Sequence, residues 1–77
     1  MNKYRLRDMR EDRDLLQKDI AILLNTTQQH YSRIENGETE ITADRICKLA
    51  DFYHTSTDYI LGRTDERKPY PITKIKD

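Results

Sequence analysis

Residues 17–37, QKDIAILLNTTQQHYSRIENG, decide how this chain folds. Apolar residues recur there at helical spacing, and the pattern breaks once near the middle of the stretch. Asn25 tolerates the left-handed conformation that ends a helix, and Thr27 can cap a following helix by accepting a backbone N–H bond. Asn36 and Gly37 can stop that following helix. The stretch therefore predicts two short helices joined by a tight turn, a helix-turn-helix.

The second helix of this motif, residues 28–35, is unusually polar. Gln28 and Gln29 lie in its first turn, and each Gln amide offers one acceptor and two donors. Such an amide can pair with both N6 and N7 of adenine. On an ordinary helix two glutamines would only form a solvated face. The first turn of a recognition helix enters the major groove, however, and base contact is the interpretation we favour here.

These residues resemble those of a known family, the Cro/repressor-type helix-turn-helix regulators of phages and bacteria, called the XRE family. The matching elements, in chain order, are Gln17, Ile20-Ala21, Thr27 and the closing SRIENG of residues 32–37. The resemblance continues through residues 49–53 and 57–62, so it covers about residues 4–62. The TTQQ at residues 26–29 is similar to the start of the recognition helix in certain lambdoid phage repressors.

The resemblance implies roles for individual residues. Gln17 is expected to hold a DNA phosphate and to brace side chains of the recognition helix. Arg10 and Glu35 are expected to form the family's structural ion pair. Thr27 can offer its methyl to thymine or its hydroxyl to a phosphate, and Arg33 can reach either guanine or a phosphate. The full set of expected DNA-binding residues is Gln17, Lys18, Thr27, Gln28, Gln29, Ser32, Arg33 and Asn36.

The surroundings of four other side chains in the motif are harder to predict from the sequence. Tyr31 occupies the family's buried apolar position, so we expect its ring in the core and its hydroxyl at the surface. His30 is either a surface residue, which we favour, or an additional phosphate or base contact. Ile22 and Leu23 are additional apolar residues, because other residues of their helix already supply its inward face. Either at least one of them is exposed or meets another segment, or the core stripe is somewhat wider than usual, which is the interpretation we favour.

Three further helices are predicted around the motif. They are helix one at residues 4–13, helix four at 43–53 with Thr42 as its cap, and helix five at 57–61 with Ser56 as its cap. No segment between them alternates like a strand. We therefore expect an all-α fold, a compact five-helix domain similar to the lambda repressor DNA-binding domain. The predicted core consists of Leu6, Ile20, Leu24, Ile34, Ile46 and Leu49.

The start of the helix at Gln17 departs from the family pattern. Leu16 stands where the family usually has Ser or Thr, so the helix that begins at Gln17 is expected to lack a side-chain cap, at a cost of about 1 kcal/mol.

We expect residues 1–62 to form the DNA-binding domain and residues 63–77 a flexible or loosely packed C-terminal tail. The alternation in residues 72–76 leaves an added strand as the alternative.

The charge balance is unusual for a DNA-binding protein. The chain has 14 basic and 14 acidic residues, whereas phosphate attraction supplies much of the affinity of DNA binders. The balance is +2 in residues 1–13, −4 in residues 14–62 and +2 in residues 63–77. Most acidic residues of the middle section follow the recognition helix, and we expect them to face away from DNA. Low non-specific affinity and reliance on direct contacts are predicted.

Composition argues against several other functions. A chain of 77 residues has room for one domain. The longest apolar run, residues 20–24, is far too short to span a membrane, and no signal-peptide pattern opens the chain. Cys47 is the only cysteine, which fits a reducing cytoplasm. His30, His54 and Cys47 lack metal-ligand spacing and no nucleophile motif occurs, so we expect no enzyme, metal, cofactor or small-molecule ligand.

Two functions remain. The first is a sequence-specific double-stranded DNA-binding transcriptional regulator, a repressor that acts by occlusion and binds a pseudo-palindromic operator as a homodimer. Tyr59, Ile60 and Leu61, with the tail, are the expected dimer surface, unless they only close the monomer's own core. The second is a protein–protein interaction module of the antitoxin or adaptor type. The zero net charge and the residues Ile22 and Leu23 favour this alternative.

Overall fold

A computed structural model describes residues 4–69 of the chain. The helices, in chain order, are α1 (Leu6–Asp12), α2 (Gln17–Leu23), α3 (Gln28–Glu35), α4 (Ala43–Tyr53) and α5 (Thr57–Ile60). The described residues contain no strand. The prediction of an all-α, five-helix domain is confirmed.

Side-chain caps begin three of the helices, at the predicted residues. Thr27, Thr42 and Ser56 each accept a hydrogen bond from the backbone N–H three residues ahead, at 3.1, 3.4 and 3.0 Å. Each such cap satisfies a donor that the helix itself leaves unpaired, and contributes about 1 kcal/mol. The sequence therefore defines the starts of α3, α4 and α5 locally.

Helix α2 begins differently. Leu16 precedes it in an extended conformation and offers no side-chain cap, as predicted. A bond in the opposite direction partly replaces the cap, because the Asp19 carboxylate accepts a hydrogen bond from the Leu16 N–H at 2.9 Å. The same carboxylate lies in the first turn, where the partial positive charge of the helix N-terminus attracts it.

A residue in the left-handed conformation follows each of the five helices. Asn25, Gly37 and Gly62 have φ values of 55°, 78° and 77°, at the three places where the sequence predicts helix ends. Asp14 and His54, both at φ 56°, do the same after α1 and α4. A glycine would mark such a site in the sequence, but an aspartate or a histidine does not.

The five helices share one hydrophobic core. Its buried members are Leu6, Met9, Ile20, Ala21, Leu24, Tyr31, Ile34, Ile46, Leu49, Ala50, Tyr53 and Ile60. All six residues predicted for the core are among them. Leu23 packs against its edge, whereas Ile22 is 76% exposed. The core stripe that we favoured therefore widens to Leu23 but not to Ile22, which points outward.

The prediction for Tyr31 is wrong in one respect. Its ring is buried as expected, but its hydroxyl is buried as well and forms no hydrogen bond of good geometry. The hydroxyl ends near the Glu35 carboxylate and the Tyr53 ring instead of at the surface. Burial, reinforced by the Glu35 charge, raises the pKa of Tyr31 far above its ordinary value. The phenol therefore stays protonated.

Residues after α5 return to the start of α1. The Arg5 guanidinium donates to the carbonyls of Tyr59 and Thr64 at 2.9 and 2.6 Å, and to Asp65 Oδ1 at 2.7 Å. It also lies over the Tyr59 ring, 4.3 Å from the ring centre. Helix α1 begins directly after Arg5, at Leu6, two residues later than the predicted start.

A second contact holds the same segment to the domain. The Thr55 hydroxyl donates to the Arg67 carbonyl at 2.6 Å. Residues 64–67 are thus held to Arg5, directly before α1, and to Thr55, in the loop between α4 and α5. The rest of the predicted tail, including the possible strand at residues 72–76, lies outside the described residues.

Candidate nucleic-acid interface

Backbone hydrogen bonds close the turn between α2 and α3. The N–H groups of Asn25 and Thr26 donate to the carbonyls of Ile22 and Ala21 at 3.0 and 2.9 Å. Ala21 is only 3% exposed, and its small side chain lets α3 pass close to α2. The backbone hydrogen bonds of the turn and the small side chain of Ala21 therefore hold α3 close to α2.

Helix α3 has one buried face and one polar face. Tyr31 and Ile34 are fully buried. Gln28, Gln29 and Arg33 are exposed, and their side chains form no hydrogen bond or ion pair with other described residues. Their donors and acceptors thus remain available to a ligand.

An open concavity of about 610 Å³ lies on this polar face. Its lining residues are Gln17, Thr27, Gln28, Gln29, His30, Ser32 and Arg33. Six of the eight residues expected to bind DNA are therefore brought together. Lys18 and Asn36 lie outside the concavity and are exposed, and the Asn36 amide donates to Glu38 at 3.3 Å.

The electrostatics of this surface differ from those of the whole chain. The lining includes the guanidinium of Arg33 and no carboxylate. The Glu35 carboxylate, on the same helix, is only 2% exposed and is turned inward. The chain as a whole has as many acidic as basic residues, but none of its acidic side chains lines the concavity.

A buried ion pair joins the end of α3 to α1. Arg10 Nε and Nη2 donate to Glu35 Oε2 and Oε1, both at 2.9 Å, and the two side chains are 11% and 1% exposed. Arg10 Nη1 also donates to the Leu15 carbonyl at 2.8 Å. This geometry matches the ion pair that the family resemblance implies. A guanidinium with two parallel bonds to one carboxylate sets both distance and orientation.

The protonation state of this pair follows from its donors. Burial by itself raises the pKa of Glu35, but hydrogen bonds from Arg10 and Gln17, with the nearby Tyr31 hydroxyl, outweigh burial and lower it. The bond to Glu35 raises the pKa of Arg10 in turn, against the effect of its desolvation. Both groups are therefore charged near neutral pH.

Gln17 lies between this ion pair and the concavity. Its Nε2 donates to Glu35 Oε1 at 3.2 Å, while its side chain lines the concavity. The amide of a residue that lines the polar surface is thus also bonded to the buried ion pair. The bond to Glu35 joins Gln17 to the end of α3.

His30 and Arg45 form a contact that the sequence does not suggest. His30 lines the concavity, and its Nε2 lies 3.1 Å from Nη1 of Arg45 on α4. Arg45 is not among the residues expected at the site. No local signal could have identified it, because the contact depends on how α4 packs beside α3.

A family model described as "Helix-turn-helix" matches residues 6–60, which include both helices of the motif and the whole concavity. The chain belongs to this family. It is a Cro/repressor-type, or XRE-type, helix-turn-helix protein, as the sequence resemblance implies. The family membership identifies residues 6–60 as a DNA-binding domain of transcription regulators.

Individual relatives of this helix-turn-helix protein are transcriptional regulators. It is 33% identical over 64 residues to the HTH-type transcriptional regulator ImmR of Bacillus subtilis, covering 83% of the chain and 50% of ImmR. It is 28% identical over 71 residues to the HTH-type transcriptional regulator AnsR of the same species, covering 92% of the chain and 61% of AnsR. The chain thus spans half to three fifths of the length of these relatives.

A solved structure has the same fold. The crystal structure of a transcriptional regulator from Listeria innocua superposes with a TM-score of 0.72 and 25% sequence identity, covering 94% of this chain and 61% of that one. Within residues 4–69, no helix is long and apolar enough to cross a membrane. The same residues contain no group of three His, Cys, Asp or Glu side chains that could hold a metal ion.

Proposed function

We propose that this protein is a sequence-specific double-stranded DNA-binding repressor that acts as a homodimer on a pseudo-palindromic operator. One observation carries the proposal. Gln28 and Gln29 have unused amides in the first turn of α3, at an open concavity without carboxylates. Promoter occlusion requires only DNA binding, so repression is the simplest outcome of this surface. This function needs no catalysis, cofactor or small-molecule ligand. Bacterial and phage repressors of this kind act in the bacterial cytoplasm.

The proposal divides the site into two kinds of contact. Gln28 and Gln29 read base edges in the major groove, with adenine as the preferred partner. Gln17, Ser32 and Thr27 line the same concavity and position the domain on phosphates. This division predicts different consequences for the loss of each kind of side chain.

Gln28→Ala and Gln29→Ala are each expected to weaken binding to the preferred sequence by about 1–3 kcal/mol and to relax the preference at one or two base pairs. Gln17→Ala is expected to weaken all sequences alike, because a phosphate contact carries no base information. Mobility shifts of a bound genomic fragment and its single base-pair variants measure both effects. Uniform loss of affinity in all three variants would contradict this assignment of roles.

The proposed dimer makes a geometric prediction. A duplex with two inverted half-sites, their centres about one helical turn or 34 Å apart, should bind about 100-fold more tightly than a duplex with one half-site. The control duplex has the same half-sites separated by an additional half turn, which places them on opposite faces of the DNA. Equal affinity for all three duplexes, with a strictly monomeric protein in sedimentation, would refute the dimer.

The dimer surface is narrower than the sequence indicates. Ile60 is fully buried in the monomer core, so it closes that core and does not contact a partner. Tyr59 and Leu61 are partly exposed and remain the proposed contact residues. Sedimentation of the full chain and of a truncation that ends at Arg63 tests whether the segment after α5 contributes.

A protein-binding module on the same fold is the second candidate. Leu16 and Ile22 favour it, because these two large apolar side chains near α2 are 56% and 76% exposed. A mobility-shift assay with genomic fragments discriminates between the two functions. Sequence-dependent retardation supports the repressor, and absence of any retardation supports the module.

A further inference from the structure

The contact between His30 and Arg45 fixes more than the position of a ring. A guanidinium has only hydrogen-bond donors, so the Nε2 atom that lies 3.1 Å from Arg45 Nη1 must act as the acceptor. An imidazole whose Nε2 accepts is neutral and carries its proton on Nδ1. The geometry thus selects one of the two neutral tautomers of His30.

The backbone of His30 is fixed as well. Its N–H donates to Thr27 Oγ1 at 3.1 Å, which places the residue in the capped first turn of α3, next to Gln28 and Gln29. Its side chain is partly exposed and lines the concavity. Since Arg45 engages Nε2, the ring has one remaining polar group, the Nδ1–H donor.

We propose that His30 is an additional base-reading residue of α3 and that Arg45 is the positioning residue that sets its tautomer. This inference rests on the proposed DNA-binding function. Arg45 acts through the ring of His30, because its guanidinium is turned toward that ring and does not line the concavity.

The tautomer determines which base His30 prefers. In the major groove guanine presents two acceptors, N7 and O6, and no donor. Adenine presents one acceptor, N7, beside an amino donor, thymine presents the acceptor O4, and cytosine presents only an amino donor. A lone Nδ1–H donor therefore meets two acceptors on guanine, one on adenine or thymine, and none on cytosine. The opposite tautomer would present Nδ1 as an acceptor and would suit the amino groups of cytosine or adenine. We therefore expect guanine to be preferred and cytosine to be disfavoured at the base pair that His30 contacts.

The tautomer can be measured in the full-length free protein. Long-range ¹⁵N–¹H NMR spectra of the His30 ring, at a mildly alkaline pH, should show a protonated Nδ1 and a bare Nε2. Arg45→Met should yield a mixture of tautomers, because the side-chain stem remains but the donor is lost. Arg45→Lys, which keeps a cationic donor, should restore the wild-type pattern at least in part.

Lys48→Met is the matched control, since it removes the same charge from an exposed position of the same helix. It should leave the His30 spectrum unchanged. A protonated Nε2 in the wild-type protein would overturn the inference. So would an unchanged tautomer in a folded Arg45→Met variant, with folding verified by circular dichroism.

Base preference is measured on a duplex that the wild-type protein recovers from a randomised pool. At one base pair, guanine should be favoured over cytosine about fivefold, the value of a single hydrogen bond. His30→Ala should abolish that preference, Arg45→Met should reduce it, and Lys48→Met should keep it. In the His30→Ala background, adding Arg45→Met should change the preference no further, because Arg45 acts through His30.

Other outcomes overturn the inference in distinguishable ways. Equal loss on every sequence in His30→Ala would mean a phosphate contact in place of base reading. Additive losses in the double variant would mean that Arg45 contacts DNA independently. If Gln28→Ala and Gln29→Ala relax specificity while His30→Ala changes no preference, the proposed function stands and this inference fails. A pool from which the wild-type protein recovers no duplex overturns both.

Discussion

Replacement of Arg10 by methionine is expected to lower the free energy of unfolding by about 3–5 kcal/mol. The substitution leaves the Glu35 carboxylate, whose side chain is 1% exposed, without the guanidinium that donates two of its hydrogen bonds. It also leaves the Leu15 carbonyl without its donor. A buried charge without its partner is among the largest single penalties in a folded protein. Urea unfolding followed by circular dichroism measures the loss.

Arg7→Met is the matched control on the same helix. Arg7 also pairs with a glutamate, Glu11, but at 3.5 Å and with both side chains 53% exposed. Exposed pairs of this kind contribute a few tenths of a kcal/mol, so this variant should unfold almost as the wild type does. Similar small losses in both variants would show that burial does not strengthen the Arg10–Glu35 pair.

The same pair makes stability depend on pH. The pKa of Glu35 in the folded protein lies below its ordinary value of 4.5, because the donors around it favour the charged form. Its contribution is therefore complete above pH 4.5 and is lost as the pH falls through the lowered folded pKa. Glu35→Gln should be less stable than the wild type at neutral pH, and the difference should shrink on acidification. A difference that grows with acid would contradict this sign.

Leu24→Ala is expected to lower the free energy of unfolding by about 2–5 kcal/mol. Leu24 is 5% exposed and lies in the core at the end of α2, directly before the turn that leads to α3. Truncation removes buried methyl groups and leaves a cavity that a closed, hydrogen-bonded turn cannot readily fill. Thermal and urea unfolding measure the change.

Ile22→Ala supplies the comparison, since Ile22 belongs to the same helix and is 76% exposed. It loses a similar number of carbon atoms, but from a solvated position, so the expected change is within about 0.5 kcal/mol. If Leu24→Ala were also within that limit, the turn would lack the tightly packed support described here.

Much of the fold follows from local chemistry that the sequence displays. Thr27, Thr42 and Ser56 begin three helices because a hydroxyl at that position satisfies a backbone donor, whatever surrounds it. Asn25 and Gly37 end helices because their backbones tolerate positive φ. The polar face of α3 follows in the same way from the apolar positions that alternate with it at helical spacing.

The remaining features depend on groups that meet only after folding. His54 adopts a left-handed conformation at the end of α4, although nothing in its side chain marks it in the sequence. The hydroxyl of Tyr31 is buried because the Glu35 and Tyr53 side chains occupy its surroundings. The side chain of Arg45, on α4, contacts the ring of His30, on α3. Propensity and periodicity carry no information about such encounters.

Arg5 has a consequence for how the domain opens. Its backbone N–H donates to the Ile60 carbonyl at 2.9 Å, and its guanidinium binds Tyr59, Thr64 and Asp65. Helix ends usually fray first and independently, but here each end of the domain is part of the other's support. Fraying at Tyr59–Asp65 therefore removes the contacts of Arg5, and fraying at Arg5 releases the segment after α5. The two ends should exchange their amide hydrogens together, as one cooperative unit.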